Sequence, residues 1–168
     1  MHNGTEPVCN HHCNLFPFFR YSMNGCAIEE VKEERNSTIP IMVSGTITDA
    51  SGRTLSGQTV EAFLASVSHI QLLSVGFNCA LGAEQLKPYL QRLSNVTNFN
   101  ISAHPNAGLP NAFGEYDETP EEMTGFIDAY FKDNLINIIG GCCGTNPAHI
   151  KAISGLAENY EPRQLKAN

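Results

Sequence analysis

Short apolar runs alternate with amphipathic segments along most of this chain. Runs with strand character lie at residues 39–44, 72–78, 98–103 and 135–139. Each is followed by a stretch in which apolar residues recur at helical spacing. This alternation is typical of parallel sheets whose strands are joined by helices. We therefore expect an α/β fold of about four βα units with parallel strands.

The segments between the runs carry helix signals of different strength. Thr119 and Glu122 have the spacing of a capping box, and Pro120 suits the first helical turn, so a helix should begin there. Pro88 lies in another helical segment and lacks a backbone N–H, so that helix should begin near Gln85 or kink. Three further helices are predicted, over residues 26–35, from Ser56 or Thr59, and from Asn146-Pro147 with Ile150, Ile153 and Leu156 packed inward.

Chain length limits how complete such a fold can be. A closed (β/α)₈ TIM barrel needs eight βα units and about 250 residues, whereas this chain has 168. Four parallel strands leave two edges without partners. We expect a partial barrel that either is completed by a partner or is a truncated product, and the second alternative is favoured. Residues 1–23 fit no periodic template and are expected to be irregular.

Charge and hydropathy exclude several classes of partner. The net charge is -7, whereas nucleic-acid-binding proteins normally present a basic face. The sequence contains no Lys/Arg block and no apolar run near the roughly 20 residues that span a bilayer. The apolar run at 15–19 is too short for the core of a signal peptide, and a proline interrupts it. We expect a cytoplasmic protein that binds neither nucleic acid nor membrane.

Three cysteines follow predicted strands. Cys142 and Cys143 are adjacent and flanked by glycines, which permit the break in pleat that two neighbouring ligands require. Cys79 closes another apolar run. Because functional groups gather at the carboxyl ends of parallel strands, the three thiolates are expected to meet. Three thiolates would hold Zn²⁺ and leave its fourth position open, which is a catalytic layout.

Other readings of these residues remain open. The cysteines could instead form a closed zinc site, with His104 as the fourth ligand, or be inert and buried. Asn78, His104, Asn106 and Gly141 also stand at predicted strand ends and are candidates for substrate binding. The two asparagines could equally form hydrogen bonds with backbone groups of their own loops. Cysteines and histidines at 9–13 match no common zinc spacing and are not expected to form a site.

Three longer motifs resemble a known family. The run GGCCGTNP at 140–147 resembles the zinc-binding signature of homocysteine S-methyltransferase domains. The runs SGTITDASGRTLSG at 44–57 and AHPNAGLPNAFGEY at 103–116 narrow the resemblance to the homocysteine-binding barrel of cobalamin-dependent methionine synthases. The resemblance starts near Asn24 and covers only the second half of that domain.

The resemblance implies a function for the predicted metal site. Residues 24–168 would be the C-terminal half of a homocysteine-binding barrel, in which Cys79, Cys142 and Cys143 hold Zn²⁺. Homocysteine would be methylated to methionine by methylcobalamin carried on another module, which the loops at 47–56 and 106–117 would contact. Two alternatives stay open. One is a betaine- or S-methylmethionine-using enzyme, and the other is a non-catalytic half-barrel that binds zinc or a partner.

Overall fold

The computed structural model describes residues 19–48, 52–54 and 57–165, with side chains from residue 27. The cysteines and histidines at 9–13 lie outside these residues. The elements in chain order are α1 Phe19–Glu34, β1 Ile41–Gly45, α2 Val60–Val67, β2 Leu72–Gly82, α3 Ala83–Val96, β3 Asn100–Asn106, α4 Pro120–Lys132, β4 Ile138–Ile139 and α5 Pro147–Ala157. The described strands form one parallel sheet in the order β1-β2-β3-β4. The predicted α/β fold with four βα units is confirmed.

The helices pack against one face of the sheet and leave polar residues on the other. Phe77 of β2 is fully buried against Phe63 of α2, with ring centroids 5.6 Å apart. Successive strand residues alternate between faces, so Asn78 and its cross-strand neighbour His104 stand on the opposite face. The hydrophobic core therefore lies between sheet and helices, and the candidate site lies on the sheet's other face at its carboxyl end.

Helix α4 begins as its sequence predicts. The Thr119 hydroxyl accepts a hydrogen bond from the Glu122 N–H, and the Glu122 carboxylate accepts from the Thr119 N–H. The helix buries Met123, Ile127 and Tyr130 in the core. Because the cap ends the β3–α4 connection, it also fixes where that connection returns to the sheet.

Helix α5 packs against the core through Ile153 and Leu156, as predicted, but not through Ile150. Asn146 caps it as expected, but Ile150 is 45% exposed. His149 and Ile153 are buried instead. Residues four apart lie on the same helix face, whereas Ile150 is rotated about 100° from His149. The prediction that Ile150 packs inward was therefore wrong.

Two element boundaries also differ from expectation. Strand β2 ends at Gly82 and α3 starts at Ala83, two residues before the predicted start near Gln85, and Pro88 lies inside the helix; the alternative of a kink at Pro88 stays a prediction. Strand β4 is shorter than the predicted 135–139. The Asn137 side chain accepts a hydrogen bond from the Ile101 N–H, while the Asn137 backbone N–H donates to the Ile101 carbonyl.

The segment after α5 is held to the fold by Arg163. Its guanidinium is 5% exposed and donates hydrogen bonds to the carbonyls of Phe99, Ser94 and Thr97. The Asn137 amide donates to the Arg163 carbonyl. Burial lowers the pKa of Arg163. One side chain thus ties the end of the described chain to the α3–β3 turn.

None of the helices in the described ranges combines the length and the apolar character that crossing a bilayer requires.

Replacing Arg163 by methionine should lower the free energy of unfolding by about 2–4 kcal/mol, because charged hydrogen bonds are lost and buried carbonyls are left without donors. Urea denaturation of the purified chain measures this. Arg92→Met is the matched control, since Arg92 pairs with Glu61 on the surface and an exposed pair contributes only about 0–1 kcal/mol. Equal losses in both variants would contradict the role given to Arg163.

Candidate metal centre

Strand β2 changes conformation at Cys79. Both Cys79 and Ala80 have left-handed backbone angles, with φ of 60° and 59°, and the pairing with β3 shifts register between Asn78 and Gly82. A left-handed non-glycine residue costs about 1–2 kcal/mol. The surrounding sheet therefore enforces a bulge, which places the Cys79 sulfur 3.5 Å from the sulfur of Cys143.

The segment after β4 is held by the end of β3. The Cys142 N–H donates to the Pro105 carbonyl at 2.8 Å, and the Ala107 N–H donates to the Cys143 carbonyl at 2.9 Å. The Cys143 N–H donates to the Asn106 Oδ1 at 3.1 Å. These bonds continue the parallel pairing beyond the strands and fix both cysteines beside β3.

The three sulfur atoms have the spacing of metal ligands. The Cys79–Cys143 and Cys142–Cys143 sulfur distances are 3.5 Å and 4.0 Å, and all three atoms lie within 4.8 Å of one another. Zinc–sulfur bonds of about 2.3 Å in a tetrahedron place sulfurs about 3.8 Å apart. The thiols are free and half-buried. The cluster could therefore hold one metal ion, and His104 is not among its members.

Proton affinity differs between these thiols. Burial alone would raise the pKa of Cys79, but hydrogen bonds from the Ala80 backbone and from the Cys143, Cys142 and Asn106 side chains outweigh it and lower that pKa. Burial, together with the hydrogen bond and charge of Cys79, raises the pKa of Cys142 to about 11. Without a cation, Cys79 therefore ionises well before Cys142.

A row of polar residues borders the cluster. Asn78 and His104 are cross-strand neighbours on β2 and β3, and the Ser44 hydroxyl donates to the Asn78 Oδ1 at 2.7 Å. Burial lowers the pKa of His104, which favours the neutral imidazole. A Cβ on Gly140 would lie 2.7 Å from the His104 ring. Glycine at that position thus leaves room for the imidazole beside the cysteine-bearing turn.

Asn106 has contacts with both cysteine-bearing segments. It is 1% exposed. Its side chain accepts from the Cys143 N–H at 3.1 Å, and its backbone pairs with Gly82 of β2. The geometry makes it a link between the ends of β2 and β4, while its predicted contact with substrate stays a prediction. The same holds for Gly141, which lies against Thr145.

Sequence reasoning overlooked two residues at this site. The Thr145 hydroxyl donates to the Cys142 carbonyl at 2.7 Å. Tyr116, on the β3–α4 connection, is half-buried and packs against the cysteine-bearing turn, since a Cβ on Gly144 would lie 2.3 Å from the Tyr116 Cβ. The available signal was the motif at 103–116, which ends at this tyrosine.

Comparisons with known proteins agree with this geometry. The family model described as homocysteine S-methyltransferase matches residues 18–157. Among solved structures, the chain is similar to the metallated form of the homocysteine methyltransferase MmuM from Escherichia coli, with 23% identity and a TM-score of 0.54. The match covers 81% of this chain and 41% of that one, so this chain spans about two fifths of its length. The sheet is thus part of a TIM barrel, as predicted.

Alkylation of the metal-free chain should follow the order of proton loss. With iodoacetamide near pH 8, Cys79 should react faster than Cys142, whose rate should rise only as the pH approaches its pKa of about 11. Peptide mapping by mass spectrometry measures both rates. In Cys79→Ser, Cys142 should become reactive at lower pH, because the hydrogen bond and charge that help raise its pKa are gone. An unchanged Cys142 profile would contradict this coupling.

Proposed function

Because the chain belongs to the homocysteine S-methyltransferase family, we propose that Cys79, Cys142 and Cys143 bind Zn²⁺ and activate the sulfur of homocysteine for methylation to methionine. The observation that carries this proposal is the sulfur spacing of 3.5 Å and 4.0 Å. That spacing suits three ligands of one tetrahedral ion. The fourth position is left for the substrate thiol.

The chemistry requires a thiolate nucleophile. A free thiol has a pKa near 8.5, so only a few per cent is ionised at neutral pH. When bound, zinc supplies the Lewis acidity that lowers the pKa of a thiol at its open position. The chain's three sulfurs carry more negative charge than the ion neutralises, which keeps electron density high at the site. Asn106 restrains the two cysteine-bearing segments, so the ligand set keeps its shape.

The polar row beside the cluster suits the amino-acid end of the substrate. Ser44 donates to the Asn78 Oδ1, which leaves the Asn78 amide N–H₂ as a donor for a carboxylate. His104, held neutral by burial, offers a second polar contact without adding charge. Gly141 has no side chain, which allows Thr145 to pack closely against the cysteine-bearing turn. Asn78, His104, Asn106 and Gly141 are therefore proposed to surround the substrate, with the cysteines alone as metal ligands.

We further propose methylcobalamin on another module as the methyl donor, as in methionine synthases. The motifs at 44–57 and 103–116 support this choice, although residues 49–51, 55 and 56 of the first lie outside the described ranges. In the second, the β3–α4 connection reaches the sulfur cluster and presents Phe113 with 89% of its surface exposed. A cytoplasmic location is part of this proposal, since a reducing compartment keeps the thiols free.

A non-catalytic role is the second candidate. It is favoured by the observation that the chain spans 41% of the homocysteine methyltransferase that it resembles. We propose that residues 24–168 correspond to the C-terminal half of the homocysteine-binding barrel. In this role the chain would bind zinc or a partner without turnover.

Zinc binding tests the ligand assignment. The purified chain should bind about one zinc ion, and Cys142→Ser should weaken binding by more than about 100-fold, because losing a metal ligand weakens binding more than losing a group that only hydrogen-bonds to a ligand. Competition with a chromophoric chelator measures both affinities. Cys9→Ser is the matched control and should bind like the wild type. Zinc binding that survives Cys142→Ser but not Cys9→Ser would overturn the assignment.

Homocysteine and methyl donors then separate the candidate functions. Adding homocysteine to zinc-loaded chain in weak buffer should release about one proton per site, because the substrate thiol ionises on binding. Methionine, detected by mass spectrometry, should form with methylcobalamin. Formation only with betaine or S-methylmethionine would favour the rival enzymes. Zinc binding with neither proton release nor methionine would favour the non-catalytic role.

A further inference from the structure

The turn that carries the adjacent cysteines is held by β3 at one end only. The Cys142 N–H donates to the Pro105 carbonyl. The Cys143 N–H donates to the Asn106 Oδ1. Gly144 comes next, is exposed and has a φ of +78°, and glycine restrains the backbone less than any other residue. The place of the two sulfurs therefore also depends on what holds the other end of the turn, where α5 begins.

A histidine holds that other end. The Oδ1 of Asn146, the N-cap of α5, accepts a hydrogen bond from the His149 N–H at 3.3 Å. In return, the Asn146 N–H donates to the His149 Nδ1 at 3.3 Å. This is a capping box in which histidine takes the place that glutamate or glutamine usually occupies. Unlike a glutamate, the imidazole has a second nitrogen that can donate a hydrogen bond elsewhere.

The second ring nitrogen of His149 joins the turn to the β3–α4 connection. Its Nε2 lies 2.9 Å from the carbonyl oxygen of Glu118. A carbonyl oxygen can only accept, and the Asn146 N–H can only donate, so the ring proton must be on Nε2 and the free lone pair on Nδ1. The side chain is 5% exposed, so water competes little for either bond. One neutral imidazole thus connects backbone groups of two segments that are far apart in the sequence.

The partner of this bond belongs to a firmly anchored part of the fold. Glu118 directly precedes Thr119, the N-cap of α4, and that helix buries Met123, Ile127 and Tyr130 in the core. The Glu118 carbonyl is therefore a fixed point. Through His149, the far end of the cysteine-bearing turn is tied to α4 as well as to α5.

We infer that His149 is a positioning residue of the candidate metal centre, which fixes the turn that carries Cys142 and Cys143 by bridging the first turn of α5 and the residue before α4. The inference rests on the proposed function and deepens it. A turn that is already ordered before the ion arrives loses less conformational entropy on binding. The two sulfurs are then held near the positions that the ion requires, and zinc binds more tightly.

Zinc affinities of three His149 variants test this role, measured by competition with a chromophoric chelator. His149→Phe keeps a ring but loses both bonds, and its affinity should fall by about 10-fold, as for other groups that orient metal ligands. His149→Gln should restore most of the affinity, because its amide nitrogen can reach the position of Nε2 and donate to the Glu118 carbonyl. His149→Asn is shorter, reaches only the position of Nδ1, and should bind as weakly as His149→Phe.

Thr59→Ala is the matched control. Thr59 caps α2 by accepting from the Ala62 N–H, so this variant also loses a helix cap, but its zinc affinity should equal that of the wild type. Urea midpoints report whether each variant folds, and the glutamine and asparagine variants decide the matter if His149→Phe does not.

Two kinds of result would contradict the inference. Equal zinc affinities of His149→Gln and His149→Asn, or a loss in Thr59→Ala as large as in His149→Phe, would overturn the role of His149 and leave the metal site standing. Failure of the wild-type chain to bind Zn²⁺ would overturn both proposals.

Discussion

Strand β3 sets the distance between the two chain segments that carry the sulfur atoms. It pairs with β2 on one side and with β4 on the other, so two strand spacings, about 10 Å, separate those neighbours. Ligands of one ion must come far closer. The bulge at Cys79 and the turn at Cys142-Cys143 close this gap, and hydrogen bonds from the end of β3 hold the turn in place. The candidate metal centre is a local departure from sheet geometry that the sheet itself maintains.

The electrostatics of the cluster follow from this crowding. Without a cation, ionising all three sulfurs within 4.8 Å of one another would cost much free energy, because the like charges repel. Backbone and side-chain hydrogen bonds favour the thiolate form of Cys79, while the pKa of Cys142 is raised. The Asn106 side chain also helps to lower the pKa of Cys79. The polar surroundings are thus arranged to accept negative charge, which a site for thiolate chemistry requires.

Local sequence signals anticipated much of this architecture. The strand–helix rhythm, the Thr119–Glu122 capping box and the meeting of the cysteines depend on patterns within a few residues or on the rule that parallel strand ends share an edge. The left-handed pair at Cys79 and Ala80 carries no such signal, because neither residue favours that conformation and tertiary contacts enforce it. The contacts of Arg163 join carbonyls 64 to 69 positions away, and no sequence pattern encodes such pairs.

The direct passage of β2 into α3 gives the two sides of the cluster unequal stiffness. Cys79 stands four positions before a helix whose inner face is anchored in the core, so its sulfur can shift only if that helix shifts with it. Cys142 and Cys143 stand in a glycine-flanked turn between a two-residue strand and α5. Any movement of the three sulfurs relative to one another should therefore occur mainly in the turn that carries Cys142 and Cys143, while Cys79 stays in place.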